Sequence, residues 1–331
     1  MPPAVQSSAP QAQRELLPTA TGEGNQITRT GFQKTQNSPI TPDDRMGDRV
    51  YSAGMETHYL AAVVQMNSGS DKSANLGHAV QQVQQASAAG ATLVALPEMF
   101  NCMGSYSRVV EEAEPIPGAT SKTLAQLAAD EKIYLLAGSI YEQDEASGVA
   151  YNTSLLFSPT GEIIARYRKI HLFDVHLSGQ IMADESRWIK SGNEITVVNT
   201  SHGCLGLSIC YDLRFPELYR QLSAQGAEII FVPAAFLEVT GRAHWEVLLR
   251  ARAIENQVYV IAANQCGEHP SQIASHGHSM IVDAWGNVLV QADSKASGIF
   301  AEINLEELRT VREQLPALKH RQEFEFWHGK G

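Results

Sequence analysis

Apolar runs of six to nine residues alternate along the chain with segments in which apolar residues recur every three or four positions. Short apolar runs rich in branched and aromatic side chains predict strands. They read YLAAVVQM (59–66), ATLVALPE (91–98), IYLLAGSIY (133–141), YNTSLLFS (151–158), EIIARYR (162–168), LGLSIC (205–210), EIIFVPAA (228–235), VYVIAANQ (258–265), HSMIVDA (278–284), NVLVQA (287–292) and GIFAEI (298–303). The helical spacing predicts helices over Asn75–Ala89, Ser121–Asp130, Phe215–Ala224 and Ala243–Gln257. Alternating strands and helices predict a layered α/β domain.

The first 56 residues lack such a pattern. They are rich in Ser, Gln, Thr, Pro and Gly, a composition that predicts disorder because it cannot bury enough apolar surface. We therefore expect a disordered extension over 1–56, one domain over 57–315 and a tail over 316–331. Met55 is an alternative start of translation. Acidic residues of the extension argue against a transit peptide.

Composition narrows the functional class. With 44% hydrophobic and 18% charged residues, the 331-residue chain can build a large core. Its net charge of -11 argues against nucleic acid as a partner. No apolar stretch is long enough for a membrane span or a signal peptide. Four cysteines without CxxC spacing predict neither disulfides nor structural zinc, so we expect a cytoplasmic protein without membrane contact.

Three ionisable residues, Glu98, Lys169 and Cys210, follow apolar runs at predicted strand ends, where α/β sheets assemble active sites. Each alone has a structural explanation: a surface carboxylate, one charge of a basic run and an inert buried thiol. Together they provide a nucleophile, a base in an apolar setting and a positive charge for an oxyanion.

Cys210 lies where a strand-like run meets a helix-like one. The positive end of a helix favours a thiolate. A structural cysteine would more naturally be buried within an element. The junction therefore favours a reactive thiol only in combination with the other two residues.

The stretches LPEMF (96–100), YRKIHLFD (167–174) and GLSICYDLRFPEL (206–218) resemble the Glu-Lys-Cys signature of the nitrilase, or carbon–nitrogen hydrolase, superfamily. The resemblance covers about residues 59–323. Further stretches over 151–175, 240–267 and 276–288 resemble its Nit amidase branch. The resemblance implies an αββα sandwich, a homodimer or larger homo-oligomer, and neither metal nor organic cofactor.

It also implies roles for individual residues. Glu98 would be the general base, Cys210 the nucleophile, and Lys169 with the N–H of Tyr211 the oxyanion stabilisers. Relatives carry a second carboxylate after the lysine; Glu185 occupies the matching place, and its neighbour Asp184 is the alternative.

Other residues carry weaker signals. Arg214 could bind a substrate carboxylate or pair with Glu217. His276 and His278 have a metal-like spacing without a third ligand motif, so no metal is expected. The segment 151–153 is expected to lie on a core strand without a chemical role.

The resulting expectation is an amidase that hydrolyses a small carboxamide to carboxylate and ammonia through a thioester. The segment NQCGEHPSQIASHGHSM (264–280) resembles deaminated glutathione amidases more than ω-amidases. An ω-amidase acting on α-ketoglutaramate or α-ketosuccinamate, a nitrilase and a catalytically inactive interaction protein remain alternatives.

Overall fold

The computed structural model describes residues 55–104, 108–144, 146–177, 181–270 and 273–322. Of the extension predicted to be disordered, residues 1–54 lie outside this range, as do residues 323–331 of the predicted tail. Met55 packs against the core, and the N–H of Glu56 donates to the Ser201 carbonyl at 2.9 Å.

The described residues form strands and helices that alternate in part of the chain, whereas β3 to β10 and β12 to β17 follow one another without an intervening α-helix. The strands are β1 His58–Gln65, β2 Ala91–Ala95, β3 Tyr134–Leu136, β4 Ile140–Gln143, β5 Ala150–Phe157, β6 Ile163–Arg168, β7 Asp174–Leu177, β8 Ile181–Asp184, β9 Val197–Thr200, β10 Gly203–Leu207, β11 Ile229–Phe231, β12 Tyr259–Ala262, β13 Cys266–Glu268, β14 Ala274–His276, β15 Met280–Val282, β16 Val288–Gln291 and β17 Ser297–Asn304. The α-helices are α1 Lys72–Ala88, α2 Val109–Glu112, α3 Ala119–Glu131, α4 Pro216–Ala224, α5 Glu238–Asn256 and α6 Leu305–Gln314. Two short 3-10 helices cover Glu185–Arg187 and Cys210–Arg214.

Two mixed sheets form the centre of the domain. The first has the order β17-β1-β2-β3-β5-β4, with β6 also paired to β5, and the second has the order β16-β15-β12-β11-β10-β9. Strands β1, β2 and β3 are parallel, as are β10, β11 and β12. Two small hairpins, β7-β8 and β13-β14, stand apart from both sheets.

Strands β1, β2, β3 and β5 of the first sheet are largely buried on both faces. Successive side chains of a strand point to opposite faces. In β1, Ala61 and Val63 belong to the core between the sheets, whereas Ala62 and Val64 pack with Val83 and other α1 residues. Helix α3 joins α1 on this outer face, and α4 and α5 cover the second sheet. The layers are therefore helix, sheet, sheet and helix, which confirms the predicted αββα sandwich.

Several predicted elements differ in extent. The run over 133–141 forms two strands, β3 and β4, and α5 begins five residues before the predicted start. The hairpin strands β7, β8, β13 and β14, the edge strand β9 and the helices α2 and α6 were not predicted. No helix within the described residues combines the length and apolar character needed to cross a membrane.

Candidate active site

Glu98, Lys169 and Cys210 meet at one end of the sandwich. Glu98 and Lys169 follow β2 and β6, which run in the same direction because β5 is antiparallel to both β3 and β6. Cys210 follows β10 of the second sheet. All three side chains are buried. Lys169 Nζ donates to Glu98 Oε1 at 3.0 Å, and Glu98 is close enough to the Cys210 thiol to raise its pKa.

Glu185 joins the three residues at this site. We call the charged residues Glu98, Lys169 and Glu185 the charge cluster. Glu185 Oε2 lies 2.9 Å from Lys169 Nζ and accepts a hydrogen bond from the Phe173 N–H at 2.6 Å. Glu185 directly follows hairpin β7-β8 and begins the short 3-10 helix. The neighbouring Asp184 instead lies 3.6 Å from His176, with 44% of its side chain exposed. The structure thus brings Glu185, and not Asp184, to the lysine.

Asn152 was missed by sequence reasoning. It lies on β5, where no chemical role was expected, yet its Nδ2 donates to Glu98 Oε1 at 2.8 Å and lies 3.4 Å from Glu185 Oε1. Its carbonyl accepts from the Lys169 N–H at 2.9 Å. A buried amide in the apolar run YNTSLLF was the available signal, since such groups need buried partners.

The Cys210 thiol is not a preformed thiolate, contrary to the expectation from the helix terminus. Burial raises its pKa well above the ordinary value, the negative charge of Glu98 and the hydrogen bond to it raise the pKa further, and Lys169 opposes them. The helix that begins at Cys210 is only a five-residue 3-10 helix. Desolvation therefore exceeds the helix effect, and the thiol holds its proton at rest.

The turn that carries Cys210 has a left-handed backbone, with φ at +48°, which costs energy in a residue with a Cβ. The Cys210 N–H donates to the Pro233 carbonyl at 2.9 Å. Asp212, which sequence reasoning also missed, accepts from the N–H of Ile209 at 2.8 Å and from the hydroxyl of Tyr167 at 2.7 Å.

The other oxygen of Asp212 reaches the chain beyond Lys169. It accepts from the N–H and from Nδ1 of His171 at 3.0 and 2.7 Å. Lys169 lies between Tyr167 and His171 in the sequence. The buried Asp212 carboxylate therefore connects the turn that carries Cys210 to the segment that carries Lys169.

Glu98, Lys169 and Cys210 line a cavity of about 310 Å³. Apolar and aromatic residues form most of its wall, which suits an organic substrate. Residues that line it include Met99, Met103, Tyr141, Phe173, Trp188, Tyr211, Arg214, Phe236, Leu237, Ile273 and Ser275.

Arg214 lies on this wall rather than beside the next helix turn. Its guanidinium is 5.0 Å from the Phe236 ring and 3.2 Å from Nδ1 of His244. Its polar partner among the described residues is therefore His244 and not Glu217. Tyr211, whose N–H was expected to stabilise an oxyanion, lines the cavity beside Cys210 as the second residue of its 3-10 helix, where N–H groups have no acceptor within the helix.

The two remaining histidine candidates lie at β14. His276 Nδ1 is 2.8 Å from Glu238 Oε2, and the rings of His276 and His278 are 4.4 Å apart. Among the described residues no group of three or more His, Cys, Asp or Glu side chains forms a metal-binding arrangement. All four cysteines are buried thiols that form no disulfide.

Comparisons with known proteins agree with this geometry. The family model described as carbon-nitrogen hydrolase matches residues 60–313. A deaminated glutathione amidase of Synechocystis is 46% identical over 266 residues, covering 80% of this chain and 98% of the relative. The omega-amidase NIT2 of Mus musculus is 39% identical over 263 residues, with 80% and 95% coverage.

Solved structures give the same picture. The NitFhit protein of C. elegans superposes with a TM-score of 0.76 at 39% identity, covering 81% of this chain and 66% of that protein. Nit3 of Saccharomyces cerevisiae, a member of branch 10 of the nitrilase superfamily, gives a TM-score of 0.74 at 35% identity, with 82% and 99% coverage.

Proposed function

The chain belongs to the carbon–nitrogen hydrolase family, and from this premise we propose that it is a deaminated glutathione amidase working through a thioester on Cys210. The observation that carries the proposal is the meeting of a nucleophile, a carboxylate base and a buried ammonium at one organic-lined cavity.

In the first half-reaction Cys210 Sγ attacks the amide carbon while Glu98 takes the thiol proton. The raised pKa of Cys210 couples these two events, because the thiol does not ionise in advance. Lys169 Nζ and the Tyr211 N–H stabilise the oxyanion. The C–N bond then breaks, the nitrogen takes the proton from Glu98, and the amine leaves.

In the second half-reaction a water molecule attacks the thioester. Glu98 accepts one proton of this water, the C–S bond breaks, and Glu98 gives this proton to the sulfur. The carboxylate product then leaves, and the enzyme returns to its starting protonation state.

Glu185 acts through Lys169. A single ammonium between two carboxylates stays protonated and fixed in position, because both oxygens of Glu185 lie within 3.2 Å of Nζ. Asn152 holds Glu98 and Glu185 at a fixed separation. The oxyanion site is thereby organised before the substrate arrives.

Two substrates fit this chemistry, and they share an acyl group. Deaminated glutathione is the amide of 2-oxoglutarate with cysteinylglycine, whereas α-ketoglutaramate is the primary amide of the same acid. The leaving group is a peptide amine in the first case and ammonia in the second. The relative at 46% identity supports deaminated glutathione, and the one at 39% supports the ω-amidase alternative. Arg214 supplies a cation for a substrate carboxylate.

The test measures 2-oxoglutarate release, since both substrates yield it. We expect a higher kcat/KM for deaminated glutathione than for α-ketoglutaramate, and loss of both activities in Cys210→Ala but not in Cys266→Ala. A preference for α-ketoglutaramate would indicate an ω-amidase. Release from neither substrate would contradict the proposal.

We also propose that the protein is a cytoplasmic homodimer. Four cysteines that form no disulfide are typical of a reducing compartment. Val239, Val247 and Ile254 lie on one side of α5 with half or more of their surface exposed, apart from Ile254 at 49%. Trp285 is exposed on a turn that packs on α5 through Arg250 and Gly286, so a contiguous apolar surface is available for a second copy.

Light scattering during size-exclusion chromatography tests the dimer. We expect twice the chain mass for the wild type and a lower mass for Val247→Glu, with Ile195→Glu, an exposed apolar residue outside α5, as the control. A monomeric wild type would contradict the proposal.

A further inference from the structure

Ser275 stands on the cavity wall at a place that the catalytic steps do not use. It lies in the centre of β14, is 4% exposed and lines the cavity. A backbone bridge pairs it with Leu237, which lines the same wall. Its hydroxyl is therefore fixed relative to the reacting residues.

His269 determines which way the Ser275 proton points. His269 Nδ1 lies 3.0 Å from the Ser68 carbonyl, and Nε2 lies 2.9 Å from Ser275 Oγ. A carbonyl oxygen can only accept, so Nδ1 carries the proton. In a neutral ring Nε2 is then an acceptor, and the Ser275 hydroxyl must donate to it.

The neutral state follows from the surroundings of the ring. His269 is buried, and burial lowers its pKa below the ordinary value.

Ser68, whose carbonyl accepts from His269, is held by Gln265. Gln265 Oε1 accepts from the Ser68 N–H and Gln265 Nε2 donates to the Ser68 hydroxyl, both at 3.0 Å. Gln265 Nε2 also donates to the Glu98 carbonyl at 3.0 Å.

With its proton committed to His269, Ser275 can only accept hydrogen bonds from a ligand in the cavity. The 2-oxoglutaryl group of either substrate presents oxygen acceptors, which cannot satisfy Ser275. The leaving group can, because a cysteinylglycine leaving group carries a second peptide N–H, whereas ammonia offers no group beyond the scissile nitrogen.

We propose that Ser275 determines specificity by accepting a hydrogen bond from the peptide N–H of the leaving group, and that His269 fixes it as an acceptor. This inference rests on the proposed function and deepens it: it explains on physical grounds a preference for a peptide amide over a primary amide. His269 is a positioning residue, since it acts through Ser275.

A cycle that changes enzyme and substrate separately tests the contact. The substrates are deaminated glutathione and its analogue with sarcosine in place of glycine, whose peptide nitrogen is methylated. We expect methylation to lower kcat/KM about tenfold with the wild type and less than twofold with Ser275→Ala, because interacting groups give non-additive effects. Ser275→Thr, which keeps the hydroxyl, should retain the sensitivity, and His269→Phe should reduce it.

The control variant is Ser158→Ala, in the turn that follows β5, which should respond to methylation like the wild type. Equal effects of methylation on wild type and Ser275→Ala would overturn the inference. The inference would also be overturned if Ser275→Ala lowered kcat/KM equally for deaminated glutathione and α-ketoglutaramate, because Ser275 would then contact the scissile nitrogen. A wild type inactive on both substrates would instead contradict the proposed function. The wild-type comparison of the two peptides needs no variant, so it remains informative if a variant fails to fold.

Discussion

Glu98, Lys169 and Glu185 place one ammonium between two carboxylates, with every side chain at most 2% exposed. An ionised group buried this deeply is stable only with charged or hydrogen-bonded partners. Burial raises the pKa of the Cys210 thiol, and the negative charge of Glu98 raises it further, so the thiol keeps its proton in the resting site. The residues therefore need each other, and each substitution should reveal a different part of the arrangement.

Neutralising Glu185 should slow the reaction without unfolding the protein. Glu185→Gln keeps the shape but removes the charge beside Lys169, so we expect kcat to fall about a hundredfold, or about 2.7 kcal/mol. Asp184→Asn is the matched control, because Asp184 points to His176, and it should keep its activity. Loss of activity in the aspartate variant alone would move the second carboxylate by one position.

Removing the charge of Glu98 should lower the pKa of the Cys210 thiol. Glu98 raises this pKa through both its charge and its hydrogen bond, so both contributions disappear in Glu98→Gln while the contribution of burial remains. Ultraviolet titration of the thiolate, taken as the difference from Cys210→Ala, should show ionisation at lower pH than in the wild type. Turnover should nevertheless fall by at least about a thousandfold, because the proposed base is lost.

The exposed Glu246→Gln is the control for this titration and should shift neither property. A thiol that ionises at higher pH in Glu98→Gln, or a variant that keeps its turnover, would show that Glu98 is not the base beside the thiol.

At the scale of elements, the sequence predicted the strands that precede Glu98, Lys169 and Cys210, because each strand is an apolar run between turns. Hairpin β7-β8 was not predicted, because DVHL and IMAD are short and only partly apolar. Glu185 was therefore located through resemblance alone. Asn152, Asp212 and the pair Ser275–His269 escaped prediction because their partners are fixed only by the folded topology.

Asp212 illustrates how elements are held together at the site. Its four acceptor contacts join the Cys210 turn to the segment around Lys169. In Asp212→Asn one oxygen becomes a donor that faces other donors, which should cost about 3 kcal/mol in the free energy of unfolding. The displaced turn should lower kcat about a hundredfold with a smaller change in KM.

Denaturant unfolding and steady-state kinetics check this prediction. Tyr167→Phe removes a single donor and should lose less than tenfold in kcat. Asp283→Asn changes another aspartate that accepts several hydrogen bonds in a remote turn; it should affect stability but not kcat. Wild-type kcat in Asp212→Asn would refute the role of Asp212 in holding the turn.

At the scale of the whole molecule, a buried histidine should make the stability of the fold depend on pH in the acidic range. His202 packs against the rings of Tyr59 and Tyr134, at 4.2 and 4.9 Å, and its Nε2 lies 2.7 Å from the Thr92 hydroxyl. Burial lowers its pKa to about 4. The carboxylate of Glu56 at 3.3 Å is largely exposed and does not offset this desolvation.

The unfolded chain binds a proton on His202 near pH 6.5, but the folded protein does so only near pH 4. Protonation of His202 should therefore not reduce the free energy of unfolding above pH 6.5. As the pH decreases toward 4, the free energy of unfolding should fall, and His202 should contribute about 3 kcal/mol to this loss. In His202→Gln the difference in unfolding free energy between pH 7 and pH 4.5 should shrink by about 2 to 3 kcal/mol. His176→Gln, at an exposed histidine, should show the wild-type loss; the same loss in His202→Gln would contradict the assignment.

The thioester on Cys210 is the central claim, and mass spectrometry of the acid-quenched enzyme tests it most directly. Deaminated glutathione is mixed with the wild type, quenched during turnover and digested, and every cysteine peptide is weighed. We predict a 2-oxoglutaryl adduct on the Cys210 peptide and on no other, released by hydroxylamine, with turnover in Cys210→Ala below about a hundredth of the wild-type rate. An adduct on another cysteine, or a Cys210→Ala enzyme that still turns over, would contradict the account.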